Sequence, residues 1–223
     1  MGDLYIVSTP IGNLDDITLR ALKTLREVAY VAAEDTRKTG ILLKHHEIDA
    51  KLLSYHSHSS DHKVEKIVEI LAGGEDVAVV SDAGTPGISD PAYNLIQRAI
   101  EVGVRIIPIP GASSLLAALT MSGLPMNKFL YVGFLPLKKG RQTMLEKLAA
   151  SEQTLVIFES PHRLNKTLSQ LLEFFGDRDF AVGREITKIY EEALRMKISE
   201  AIAHFESKKP KGEFVLVVSG TGR

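Results

Sequence analysis

The chain has 223 residues, no cysteine and a formal net charge of −1 at pH 7. The absence of thiols excludes cysteine nucleophiles, iron–sulfur clusters and zinc sites built on cysteine. A near-neutral charge gives no overall attraction for nucleic acid, so an RNA or DNA partner would need a local basic patch.

The N-terminal sequence and the hydropathy pattern indicate the compartment. MGDLYIVSTP has no basic leader followed by an apolar segment, and no apolar run approaches the roughly 18 residues that span a bilayer. A chain without cysteine suits a reducing environment. We therefore expect a cytoplasmic protein with no membrane-embedded segment, long enough to form two compact halves.

The first half of the chain alternates short apolar runs with amphipathic helical patterns. In chain order we predict strands at Leu4–Ser8, Tyr30–Ala33, Val77–Val80 and Arg105–Pro108, and helices over residues 19–28, 64–71 and 91–101 and from Ser113 onward. Strands that alternate with helices predict an α/β domain with a mainly parallel sheet.

The second half follows a break at Gly123–Pro125. Apolar runs at Phe129–Phe134, Thr154–Phe158, Phe180–Val182 and Phe214–Val218 predict four more strands. Longer polar loops and a closing strand indicate a mixed α/β unit. We place the boundary near residues 110–127 and divide the chain into domains 1–115 and 116–223.

Four polar loops follow the predicted strands of the first half. They are Ser8–Pro10, Glu34–Arg37, Ser81–Pro86 and Pro110–Ser114. Because ligands of open α/β sheets bind outside the carboxyl ends of the strands, these loops predict a pocket at one edge. The motifs G-x-G-x-x-G and G-x-x-x-x-G-K-[ST] are absent from the expected places, which argues against an NAD or P-loop site.

The segment Gly84–Gly87 also has a purely structural interpretation. It is then a pair of turns, with Ser89 or Asp90 capping the next helix and Pro91 at the first helical position. The two interpretations are compatible, because a loop that caps a helix can also face a ligand.

A histidine-rich segment invites a metal interpretation. His56 and His58 are followed by Asp61 and His62, but one inserted residue separates this pattern from the H-x-H-x-D-H of dinuclear hydrolases. Metal geometry depends on such spacings. We favour a solvated loop in which Ser60 or Asp61 caps the following helix, and we predict no metal site.

Two loops of the second half combine carboxylates with basic residues directly after strands. They are Glu159–Arg163 and Arg184–Lys188. Such positions can tune pKa values and hold substrates, although surface ion pairs give the same pattern. The densest basic clusters are Lys138–Arg141 and Lys208–Lys211. A charge run is usually a solvated face, and the first cluster is the better candidate for phosphate contacts.

Nine segments in a fixed order resemble one family. They are STPIGNLDDIT, AAEDTRKTGILL, YHSHS, SDAGTPGISDPA, PIPGASS, GFLP, ESPHR, REITKIYEE and GEFVLVV. The set resembles the ribosomal RNA small subunit methyltransferase I family, within the tetrapyrrole methylase-like class of S-adenosylmethionine enzymes. It covers nearly the whole chain. SDAGTPGISDPA with ESPHR and REITK is specific in combination, although each motif alone is weak.

The resemblance implies two α/β domains of the tetrapyrrole methylase type, S-adenosylmethionine in the cleft between them, and a homodimer. The implied substrate is small-subunit rRNA, alone or in the assembled small subunit, methylated on the 2′-hydroxyl of a decoding-centre cytidine. By motif position, the implied cofactor contacts are Pro10, Asp82, Ala83, Gly84, Thr85, Ser113, Ser114, Phe158, Val182 and Phe214.

Methyl transfer to oxygen requires alignment of donor and hydroxyl, exclusion of water and removal of a proton. The candidates for orienting or deprotonating the hydroxyl are Glu159, His162, Glu185 and Lys188, with Asp35 and Arg37 positioning the substrate. A lysine base would need a pKa lowered by burial. The predicted RNA contacts are Lys138, Lys139 and Arg141.

Three alternatives stay open from the sequence. The first is methylation of a tetrapyrrole or another small molecule, which SDAGTPGISDPA, ESPHR and the Lys138–Arg141 cluster disfavour. The second is a metal-dependent hydrolase that uses His56 and His58. The third is a non-catalytic RNA-binding module, which fits less well because four loops at one strand edge suit a small ligand.

Overall fold

The computed structural model describes residues 1–55, 61–90 and 92–222. The chain divides into two compact units, Met1–Ser113 and Ser114–Arg223. Both units are α/β, as the sequence predicts, and each contains its own five-stranded sheet. In the part of the chain described, no helix has the length and apolar character needed to cross a membrane.

The first unit contains a fully parallel sheet. Its strands are β1 (Leu4–Val7), β2 (Tyr30–Ala33), β3 (Lys51–Ser54), β4 (Val77–Val80) and β5 (Ile106–Ile109), in the order β3-β2-β4-β1-β5. The central strand β4 is buried at every position. A strand covered on both faces is apolar throughout, which is why VAVV shows no alternation.

Helices pack on both faces of this sheet. They are α1 (Leu19–Glu27), α2 (Thr36–His45), α3 (Asp61–Ala72) and α4 (Ala92–Glu101). Alternate residues of β4 belong to different hydrophobic clusters, Val77 and Val79 to one and Ala78 and Val80 to the other. The Thr18 side chain caps α1 and the Asp35 side chain caps α2 by accepting backbone N–H groups, as these residue types do at helix starts.

The second unit contains a mixed sheet. Its strands are β6 (Phe129–Phe134), β7 (Thr154–Glu159), β8 (Asp179–Arg184), β9 (Glu192–Lys197) and β10 (Phe214–Val218), in the order β6-β7-β10-β8-β9. Only β6 and β7 pair in parallel among these neighbours. The helices are α5 (Ser114–Ser122), α6 (Arg141–Ala149), α7 (Leu164–Phe175) and α8 (Ile198–Ser207).

Every strand predicted from an apolar run exists, with ends that agree or differ by at most two residues. Two strands were not predicted, β3 (KLLS) and β9 (EALRMK). Both lie at the edge of their sheet, where one side of the strand lacks a neighbour and polar residues are tolerated. Residues Thr36 and Arg37, predicted as part of a loop, form the first turn of α2.

Candidate active site

The carboxyl ends of β1 and β4 are joined to each other in the first unit. Thr9 and Gly84 exchange two backbone hydrogen bonds of 2.9 and 3.1 Å, and the Ser8 and Thr85 hydroxyls lie 2.9 Å apart. The parallel sheet brings these ends to one edge, as predicted from the loop positions. The two loops therefore form one continuous polar edge.

Gly84 has a conformation that favours glycine. Its φ is +81°, in the left-handed region, and a Cβ there would lie 3.5 Å from Cγ2 of Ile11. Residues other than glycine are strained at such φ values. The turn therefore needs Gly84, and the backbone groups of Gly84 are already engaged with Thr9.

The turn after Gly84 also has the structural role that the alternative interpretation predicted. The Asp90 carboxylate accepts hydrogen bonds from Gly87 N at 2.5 Å and Ala92 N at 3.1 Å, at the start of α4. The loop is thus a helix cap and a sheet-edge loop together.

Asp82 ties the β4 loop to the β2 loop. Its Oδ1 accepts a hydrogen bond from Asp35 N at 3.0 Å, and its Oδ2 pairs with Lys38 Nζ at 2.6 Å. Strands β2 and β4 are neighbours whose connections leave in opposite directions, to β3 and β5, which is the usual position of a ligand crevice. Lys38 was missed by sequence reasoning, although it lies inside the AAEDTRKTGILL motif.

This edge concentrates carboxylates of different character. Burial and the neighbouring Asp82 carboxylate raise the pKa of Glu34, which is half-buried. Hydrogen bonds from the side chain and backbone of Arg37 lower the pKa of Asp35 far below its usual range. Asp35 and Arg37 therefore form a charged pair at the start of α2.

The edge suits part of S-adenosylmethionine by its chemistry. Hydroxyls of Ser8 and Thr85 and carboxylates of Glu34 and Asp82 are the partners that ribose hydroxyls, an adenine amine and a sulfonium cation require. One cavity on this edge, lined by Pro10, Lys38 and Asp82 among others, measures about 70 Å³. Ligand pockets are typically several hundred Å³, so the cofactor needs more surface than this cavity.

In the second unit, Glu159 is buried and fully engaged. It accepts hydrogen bonds from Ser160 N at 2.7 Å, Arg163 Nε at 2.7 Å and Thr167 Oγ1 at 2.5 Å. The prediction that Glu159 orients or deprotonates a hydroxyl is therefore wrong for this structure, because its oxygens point into the fold. Glu159 fixes the start of α7 instead.

Arg141 corrects the prediction of an RNA contact. It is only 5% exposed, and its guanidinium donates to Pro136 O at 3.0 Å, Thr167 Oγ1 at 2.7 Å and Gln170 Oε1 at 2.8 Å. Lys138 and Lys139 are exposed before α6, as a phosphate contact requires. The basic cluster thus splits, with two lysines at the surface and the arginine in the interior.

Phe158 lies in a small aromatic group at the end of β7. Its ring makes edge contacts with Tyr131 and Phe134, with centroids 5.2 and 5.7 Å apart. Arg163 lies over the Phe134 ring and donates to Leu135 O at 3.1 Å. These contacts attach the GFLP segment to the ESPHR segment.

His162 differs from the other candidates of this loop because its side chain is exposed. It lies in the turn between β7 and α7, three residues after the buried Glu159. Imidazole is the commonest general base in enzymes. His162 is therefore available for the proton-accepting role that Glu159 is not placed to fill.

Lys188 is paired rather than poised as a base. Its Nζ lies 3.0 Å from Glu185 Oε1 and 3.1 Å from Glu213 Oε2. Burial works to lower the pKa of Lys188, but the two carboxylates outweigh burial and raise it. Burial likewise opposes ionisation of Glu185, while Glu213 N and Lys188 outweigh burial and lower its pKa. A lysine base needs a lowered pKa, so these contacts do not favour Lys188 as the proton acceptor.

Val182 and Phe214 are core residues. Both are almost completely buried and belong to the hydrophobic cluster of the second unit, so their side chains cannot line a ligand site. A cofactor could contact them only through the backbone. Ser113 and Ser114 are half-buried, and Ala83 is exposed.

The metal hypothesis concerns a segment of which the structure describes only part. His56 and His58 lie outside the described residues. Within residues 1–55, 61–90 and 92–222, no group of three or more histidine, aspartate or glutamate side chains could hold a metal ion.

Comparisons with a family model and with individual proteins all find methyltransferases. The family model of tetrapyrrole (corrin/porphyrin) methylases matches residues 3–202. A Thermotoga maritima protein named ribosomal RNA small subunit methyltransferase I is 50% identical over 220 residues, covering 99% of both chains. Proteins of the same name from Synechocystis and Bacillus subtilis are 48% and 46% identical, over 99% of this chain and 80% and 76% of theirs.

Solved structures share the fold at lower identity. Uroporphyrin-III C-methyltransferase from Thermus thermophilus has a TM-score of 0.68 at 20% identity, covering 100% of this chain and 96% of that one. Diphthine synthase has a TM-score of 0.74 at 15% identity, covering 97% and 89%. At these identities the likeness concerns the fold alone.

Proposed function

The chain belongs to the tetrapyrrole methylase family and, within it, to the ribosomal RNA small subunit methyltransferase I family, and we propose that it methylates small-subunit rRNA. Its methyl donor is S-adenosylmethionine, as in the rest of the family. We further propose that the methylated atom is the 2′-hydroxyl oxygen of a cytidine in the decoding centre. The proposed substrate implies a cytoplasmic reaction, on free rRNA or on the assembled small subunit.

The polar edge of the first unit is the main structural support for the proposed cofactor site. Pro10 and the segment Asp82–Thr85 would hold S-adenosylmethionine there, together with Ser113 and Ser114. When bound, the cofactor supplies an electrophilic methyl group on a sulfonium centre.

The protein itself then has three tasks: to hold the ribose, to exclude water and to accept the hydroxyl proton. We propose that His162 accepts the proton, because its side chain is exposed while the carboxylate of Glu159 is buried in hydrogen bonds. Asp35 and Arg37 present a charged pair that would position substrate. A histidine general base contributes on the order of 10²–10⁴ in rate.

A homodimer is part of the proposal. Edge strand β6 and the segment after it expose Phe129, Leu130, Phe134 and Leu137. Exposed apolar side chains grouped on one edge strand favour coverage by a partner. Sedimentation equilibrium tests this point directly, because a monomer at micromolar concentration would contradict it.

Tritiated methyl transfer tests the function. Small subunits that lack the modification, uroporphyrinogen and a no-substrate control are incubated with the protein and labelled cofactor. The proposal predicts label in the rRNA and none in the porphyrinoid. The opposite pattern would favour the small-molecule alternative, and calorimetry with S-adenosylmethionine would show whether an inactive sample still binds its cofactor.

A further inference from the structure

Two loops of the second unit are fastened into one surface. The β8–β9 loop covers residues 185–191 and the α8–β10 loop covers residues 208–213. Arg184 Nε donates to Lys211 O at 2.7 Å, and Glu185 and Glu213 exchange hydrogen bonds of 3.0 Å (N to O) and 2.9 Å (N to Oε1). Lys188 also bridges both carboxylates, so several polar contacts join the two loops.

The tip of the β8–β9 loop presents two apolar side chains to solvent. Ile189 is 95% exposed and Tyr190 is 73% exposed. The turn beneath them is held by hydrogen bonds from Lys188 N to Glu185 O at 2.9 Å and from Glu191 N to Lys188 O at 3.0 Å. Tyr190 is thus an aromatic ring displayed on a fixed turn.

The same turn contains backbone strain. Glu185 has a φ of 49° and Thr187 a φ of 67°, and both are non-glycine residues. Strained conformations persist where the surroundings determine them, and they concentrate at ligand-binding segments. The surrounding structure therefore holds the exposed tip in this conformation.

The α8–β10 loop beside the tip carries three lysines. Lys208, Lys209 and Lys211 are exposed, and within the described residues none of the three has a side-chain ion pair or hydrogen bond. Three of the nearby carboxylates are paired with other cations, Glu185 and Glu213 with Lys188 and Glu192 with Arg184. The lysines are thus the groups left to bind an external anion.

We propose that these two loops form a site for single-stranded RNA, in which Tyr190 stacks on an unpaired base and Lys208, Lys209 and Lys211 contact the flanking phosphates. Aromatic rings beside a basic track are the means by which proteins bind unpaired nucleotides. The inference rests on the proposed rRNA substrate and names the surface that receives it. It also moves the main RNA contact away from Lys138 and Lys139.

Fluorescence anisotropy with a labelled oligouridylate measures this site, because that RNA is unstructured. Tyr190→Ala lowers affinity about tenfold, whereas Tyr190→Phe stays within about twofold, because stacking needs the ring and not the hydroxyl. The matched control is Tyr93→Ala, which removes an exposed tyrosine of the first unit. It leaves affinity unchanged.

The lysines are tested through salt dependence. The triple variant Lys208→Gln, Lys209→Gln, Lys211→Gln reduces the slope of log K against log salt by about 2, since each phosphate contact on a single strand contributes roughly 0.7. The control triple Lys44→Gln, Lys66→Gln, Lys147→Gln removes the same charge from exposed helix positions and keeps the slope.

Two results would overturn the inference. One is that both sets of variants bind like their controls. The other is that Tyr190→Ala leaves RNA affinity intact but changes the sedimentation mass, because the tip would then cover a second copy of the chain. Binding of the oligouridylate by these loops without methylation of small subunits would instead contradict the proposed function and leave this surface standing.

Discussion

At the scale of single residues, burial separates side chains that look alike in sequence. Glu159 ends β7 and Glu185 directly follows β8, and each has a basic residue within four positions, yet Glu159 is enclosed while Glu185 belongs to a partly exposed cluster. Arg141 looked like a member of a surface cluster because its partners Thr167 and Gln170 lie 26 and 29 positions away in the chain. Sequence reasoning found the motifs, but no local pattern reports such distant partners.

Thr167 links Arg141 to Glu159, because its hydroxyl accepts from one and donates to the other. Thr167→Val keeps the shape but leaves two buried charged groups with unmade hydrogen bonds. We expect a loss of about 2–4 kcal/mol in the free energy of unfolding. Urea unfolding measures it, with Ser169→Ala on the exposed face of the same helix as the control. An unchanged urea midpoint for Thr167→Val would show that this hydrogen-bond network contributes little to stability.

The pKa of Glu185 is lowered in the folded protein, so Glu185 contributes stability above the ordinary glutamate range, and this stability disappears as pH falls. Lys188→Met removes the main cation beside it. We expect the variant to be less stable than the parent at pH 7, with the difference shrinking below about pH 4. Thermal unfolding from pH 3 to 7 checks the sign. A difference that grows on acidification would contradict it.

The His162 proposal predicts a separation of kinetic constants. His162→Asn reduces kcat by about 10²-fold or more and leaves KM for the cofactor unchanged, because the imidazole is assigned to proton removal and not to binding. Lys166→Gln, an exposed position in α7, is the control. Equal kcat values for His162→Asn and the parent would show that His162 does not accept the proton.

At the scale of elements, the apolar strands were predictable and the edge strands were not. VAVV and FVLVV are buried at all positions, so composition alone identifies them. KLLS and EALRMK are edge strands with exposed positions and carry no comparable signal. The strand-to-loop junctions were also predictable, because glycine and proline mark them and a parallel sheet gathers its carboxyl ends.

The junction of β1 and β4 gives an element-scale prediction. Gly84→Ala and Gly87→Ala both place a side chain at positive φ, +81° and +91°, so each costs about 1 kcal/mol of stability. Only Gly84 forms the bridge to Thr9. Calorimetry should therefore show weaker S-adenosylmethionine binding for Gly84→Ala alone. Equal affinities of the two variants for S-adenosylmethionine would show that Gly84–Gly87 has a purely structural role.

At the scale of the whole molecule, each unit carries its own polar features. The first unit supplies a polar strand edge with hydroxyls and carboxylates, and the second supplies an exposed histidine and a basic, aromatic surface. A net charge of −1 conceals this arrangement, which is why composition alone did not indicate an RNA partner. Family resemblance supplied the proposed reaction, and burial and hydrogen bonds show which candidate side chains are already engaged within the fold.

The central claim is methylation of a ribose oxygen in small-subunit rRNA. Its most direct test is alkaline hydrolysis of rRNA labelled by this protein, because strand cleavage by alkali requires a free 2′-hydroxyl. The account predicts that the labelled methyl group is recovered in an alkali-resistant dinucleotide that begins with cytidine. Label recovered only in single nucleotides would place the methyl group on a base and contradict the account.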